Sequence, residues 1–155
     1  MADKLIAPLL RPALDAKGVF ESVWNAFFKT LTARFEIITR AGEIADSWPD
    51  GVTITGVAAT GLVTISEHTR QYPSGAETVQ SGSVSGLAYG ATGYLYYDDA
   101  VREGGIVSYA AATSYADAFA KAATPNRHFV GKVVMPANAG ASNTTGTPAK
   151  PPGYV

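Results

Sequence analysis

Six apolar side chains, Phe20, Trp24, Phe27, Leu31, Phe35 and Ile38, follow one another at steps of four, three, four, four and three residues. Apolar residues at that spacing share one side of an α-helix, whereas on a strand they would scatter over both faces. The steps average nearer the ordinary helical period than that of a coiled coil, so a long supercoil is not required. The run VFESVWNAFFKTLTARFEIITRAGEIADSW is therefore predicted as an amphipathic helix, ended by Gly42 or by the Trp48-Pro49 pair. Thr30, Thr32 and Thr39 weaken its second half. Such a stripe more often faces a core than a partner. This one is heavy with rings, and Val23 and Phe28 widen it beyond what one small β-domain usually covers, so a second subunit can share it. Both readings stand on the sequence. The residues that would carry a docking contact are Phe20, Trp24, Phe27, Phe28, Leu31 and Phe35. The polar side is too poor in lysine and arginine for membrane adsorption.

Ahead of the stripe, Pro8 and Pro12 punctuate MADKLIAPLLRPALDAKG, and each restricts the residue before it, so an extended arm is expected. Asp3 and the prolines make this a poor signal peptide. No stretch approaches the roughly 20 apolar residues of a membrane span. From Val52 to about Pro136 the texture becomes β. VTITGVA, LVTISEHTRQY, ETVQSGSVSGL, GYLYYDD, GIVSYAAAT and HFVGKVVM are short runs punctuated by Gly, Pro, Ser and Asp. Their spacing favours a sandwich or small barrel. Between the last two runs, SYADAFAKAATPN is expected as a helical turn or one short helix that Pro125 stops. The end, ANAGASNTTGTPAKPPGYV, cannot form a core of its own. It is expected as an extended tail, ordered only if something such as a neighbouring subunit holds it. The expected fold is thus mainly β with an N-terminal helix: arm and helix over 1–48, a small antiparallel β-sandwich over 49–136, and an extended tail over 137–155.

Composition and motifs argue against chemistry. The net charge is −1 and only 16% of residues are charged, with no basic bias to suggest a nucleic-acid surface. Cysteine is absent, which excludes disulfides, thiol nucleophiles and zinc–thiolate sites. Glu67-His68 and Asp98-Asp99 are adjacent on expected strands, where neighbours point to opposite faces and chelate poorly. Asp99 with Arg102 and Glu103 reads as a charged turn. Gly82, Gly86 and Gly90 serve turns or bulges. The nucleophile-elbow pattern fails at Val84, and no phosphate-binding glycine pattern occurs. His128, after Asn126-Arg127, could bind an anion, but such a residue more often orders a turn by hydrogen bonding. The Asn143-Thr144-Thr145 sequon is taken as chance. No catalytic, cofactor-binding or metal site is expected, and no enzyme.

Two stretches carry a resemblance. PALDAKGVFESVWNAFFKTL, with Asp15, Gly18, Trp24, Phe27 and Phe28, resembles the N-terminal segment of small virion proteins of tailed bacteriophages. ISEHTRQY, GSVSGLAYGAT, YLYYDD, GGIVSY and NRHFVGKV, over roughly half the chain, resemble a domain of phage structural proteins, often tail or fibre products. Leu87, Gly90 and Thr92 are also similar to the turn before the tyrosine corner of fibronectin type III modules, but Gly93 stands at the corner and Tyr94 one place later. By alternation Leu95 and Tyr97 should face the core and Tyr94 and Tyr96 outward, as a possible contact surface. The resemblance implies a virion component made in the bacterial cytoplasm. Its partners would be tail, adaptor or fibre subunits, with a trimer as first guess. Head decoration, and carbohydrate binding at a receptor-binding tip with a host-surface glycan, are the alternatives.

Overall fold

A computed structural model describes residues 2–120 and 123–151. The elements in chain order are α1 (Ala2–Ala45), β1 (Trp48–Asp50), β2 (Ile54–Val57), β3 (Leu62–Ile65), β4 (His68–Tyr72), β5 (Gly75–Val79), β6 (Gly82–Val84), β7 (Thr92–Asp98), β8 (Tyr109–Ala112), α2 (Tyr115–Ala118), β9 (Arg127–Val134), β10 (Thr144–Thr145) and β11 (Thr147–Pro148). The chain divides into two compact units, Met1–Ile37 and Ile38–Val155.

The helix stripe is where the spacing put it, but α1 starts far earlier than expected. Residues 2–18, read as an extended arm, are its opening turns. Alanine, leucine, lysine and isoleucine flank both prolines, and their helix propensity outweighs the hydrogen bonds that Pro8 and Pro12 forfeit. Thr30 does not break the second half; its hydroxyl donates to the Ala26 carbonyl at 2.9 Å and so finds its partner within the helix.

The second unit holds three antiparallel sheets, ordered β1-β4-β5, β10-β2-β3-β6 and β11-β9-β7-β8. Alternation builds its core: Ile54, Val63, Ile65, Leu95, Tyr97, Val130, Val133 and Met135 point inward and are buried. Within this unit, the expected tail is held by its own chain. Thr144 and Thr145 pair with Gly56 and Thr55, and Thr147 and Pro148 pair with Lys132 and Gly131. The Asn143 side-chain carbonyl accepts from the Ala58 amide at 3.0 Å. The close fit needs glycine: a Cβ on Gly146 would lie 2.5 Å from Ile54 Cγ2. Residues 152–155 of the tail and residues 121 and 122 after α2 lie outside the described residues.

Candidate functional site

In the first unit, Phe20, Trp24, Phe27, Phe28 and Phe35 are exposed, from 44% at Phe28 to 61% at Phe35, and Leu31 is partly buried. The rings form a ladder: Phe20 and Trp24 stack at 5.5 Å, and Phe28 meets Trp24 edge-on at 4.9 Å. Val19 and Val23 extend this exposed apolar surface along the helix.

In the second unit, the outer face of the β11-β9-β7-β8 sheet forms a groove of about 610 Å³. Register places Ala112, Tyr94, Lys132 and Thr147 side by side across that face. A β-bulge between Leu95 and Tyr96 sets Phe129 opposite Tyr96 on the same face. The short helix α2 walls one side. Ser114 caps it, its hydroxyl accepting from the Asp117 amide at 3.2 Å. Tyr115 and Phe119, four residues apart, both reach Phe129, at 5.0 and 6.1 Å between ring centres. Tyr94 meets Tyr115 edge-on at 6.2 Å. Pro148, Lys150 and Pro151 form the opposite rim.

Of the two outward tyrosines, only Tyr94 lines this groove. Tyr96 lies under the Arg127 guanidinium, which sits 4.0 Å from the ring centre. Arg127 is itself fixed, donating to the Asp117 carbonyl at 2.6 Å. The face of Tyr96 is therefore occupied by its own chain.

Beneath the same sheet lies a buried polar cluster. Arg70 is 1% exposed; its Nε donates to Ser47 Oγ at 2.8 Å, and Nη1 to the Phe129 carbonyl at 2.6 Å. Among the described residues no carboxylate pairs with it. His128 Nδ1 donates to the Asn126 carbonyl at 2.8 Å, which leaves Nε2 to accept from the Tyr72 hydroxyl at 2.8 Å. Its ring stacks on Tyr97 at 4.7 Å. Burial, reinforced by the Arg70 charge, pushes the His128 pKa down to about 3. Burial also lowers His68 and pushes Tyr72 up to about 12. At neutral pH His128 is uncharged and the Tyr72 hydroxyl keeps its proton, so their hydrogen bond persists, and Arg70 ties Ser47 to β9. Asp99 accepts from the Val101, Arg102 and Gly104 amides, which makes the expected charged turn, and Arg102 pairs with Glu43.

Among the described residues no group of three His, Asp or Glu could hold a metal, and no helix is long and apolar enough to cross a membrane. Sequence reasoning missed Tyr115, Phe119, Phe129, Lys132 and Lys150 as groove residues. The four-residue step from Tyr115 to Phe119 was the available signal; nothing local marked Lys150. Compared with family models, curated proteins and solved structures, the chain matches none.

Proposed function

We propose that this chain is a structural subunit of a tailed-bacteriophage virion, a tail or tail-fibre component that docks through α1 on neighbouring virion subunits and on two further copies of itself. The exposure of Phe20, Trp24, Phe27, Phe28 and Phe35 on one helix carries this reading. Rings of this size dominate interface energetics when desolvated. A helix alone in water is marginal, so burying its apolar stripe against sister helices stabilises both helix and assembly. A threefold bundle closes such a stripe on itself.

The phage assignment rests on the resemblance of residues 12–31 and of the stretches between 65 and 133. The β-unit is proposed as a fibronectin type III-like spacer. Its antiparallel sheets around a shared buried core support a β-module of this general kind. His128 and Arg70, both buried and already partnered, suit a structural role.

Immunogold labelling of purified particles from the phage that encodes the chain tests the reading. Label on the tail is expected. Label on the capsid would favour a head-decoration role, and unlabelled particles would overturn the virion assignment.

A further inference from the structure

The groove over β7, β9 and β11 is independent of the assembly reading, and its lining is chemically selective. Its side walls offer ring faces, with Tyr115 half exposed and Tyr94 partly so. Neither the Tyr94 nor the Tyr115 hydroxyl has a hydrogen-bond partner among the described residues, so both remain available to a polar ligand. Lys132 and Lys150 also line it, both are exposed, and neither is paired with a carboxylate among the described residues. Among the described residues the lining contains no acidic side chain and no leucine, isoleucine, valine or methionine. A lipid or an aliphatic peptide anchor would call for branched apolar walls. Rings edged by free hydroxyls and cations instead fit a flat polar molecule with a negative charge: the apolar face of a pyranose lies on an aromatic ring, and its acid group meets an ammonium. The cavity of about 610 Å³ has room for a short oligosaccharide.

We propose that this groove is a binding site for an acidic saccharide. Tyr94 and Tyr115 supply the stacking faces, and Lys132 and Lys150 pair with the carboxylate or phosphate. Tyr96, covered by Arg127, takes no part. The ring contacts set position, and the two lysines select charged sugars over neutral ones of the same length.

The test applies the full chain to an array of uronate-bearing, sialylated, phosphorylated and neutral oligosaccharides, with tetraglutamate as a charge control. Saturable binding of acidic sugars is expected. Binding of the carboxylated arm alone or the phosphorylated arm alone identifies the acid group and supports the site. Lys150→Gln, at an exposed position, is expected to weaken the best probe about tenfold and to flatten its salt dependence. Tyr115→Ala should weaken it at least as much, with Lys29→Gln, an exposed charge on α1 outside the groove, as a variant that leaves binding unchanged. Equal retention of neutral sugars, binding of tetraglutamate as tight as the sugars, no saturable acidic probe, or unchanged affinity in Lys150→Gln would each overturn the proposal.

Discussion

On the helix, Phe20, Trp24, Phe27 and Phe28 stack on one another and remain about half exposed. In the β-unit, Tyr97 is fully buried, stacked on His128 and set edge-on to Tyr109 at 5.7 Å. The same kinds of ring thus serve opposite ends. The Tyr97, His128 and Tyr109 rings are consumed by the unit's own fold, with His128 tied to Tyr72 and Asn126 and the Tyr109 hydroxyl to Gln80. Those of the helix leave about half of their area in water, and only another surface can take it away. Stability should therefore live in the β-unit and association on the helix, and substitutions should separate the two.

The largest expected effect on stability is at Arg70. Arg70→Ala removes three donors and strands the Ser47 and Phe129 carbonyls, which should cost about 3–4 kcal/mol in urea unfolding. A loss under about 1 kcal/mol would mean that the buried cluster is not what ties Ser47 to β9. Acid should act next. The His128 pKa is lower folded, about 3, than its ordinary 6.5. Its contribution is therefore full above pH 6.5 and is lost as pH falls from there toward 3. The slope approaches about 1.4 kcal/mol per pH unit for one such histidine. Urea midpoints measured between pH 7 and pH 4 should fall accordingly, and His128→Phe should flatten the fall; an unchanged slope in that variant would assign it to other groups.

Gly131→Ala probes the tail. Its Cβ would lie 2.5 Å from the Thr147 carbonyl, so β11 must shift away from β9, at a cost of about 2 kcal/mol. Faster hydrogen exchange at the Ala149 amide, which donates to the Val130 carbonyl, would report it locally. Arg127→Ala is the mildest. It uncovers Tyr96 and removes the bond to the Asp117 carbonyl, and should cost about 1–1.5 kcal/mol. None of these changes should alter association if the division between the two regions is right.

The sequence disclosed what local pattern encodes. The steps of four and three from Phe20 to Ile38 gave the helix, and the alternation in GYLYYDD put Leu95 and Tyr97 inside. It concealed what long-range pairing decides. Thr144–Thr145 and Thr147–Pro148 are too short to carry a strand signal, and become strands only because β2 and β9 offer free edges. Arg70 was hidden by the usual exposure of arginine, although His68, Arg70 and Tyr72 share one strand face and are all buried. The prolines at 8 and 12 misled in the other direction, because a proline signal was set above the propensity of its neighbours. Of the groove, Tyr94 alone was legible. Lys150 reaches it only through the path of the tail.

The most direct test of the central claim is sedimentation equilibrium of the full chain beside a Trp24→Asp, Phe28→Asp double variant, with thermal melting of the β-unit followed in both. The wild type should sediment as a trimer and the variant as a monomer, with association weakened by at least about a hundredfold and the β-unit melting unchanged. A monomeric wild type, or a variant that assembles as tightly as the wild type, would contradict the assignment of the helix as the association face.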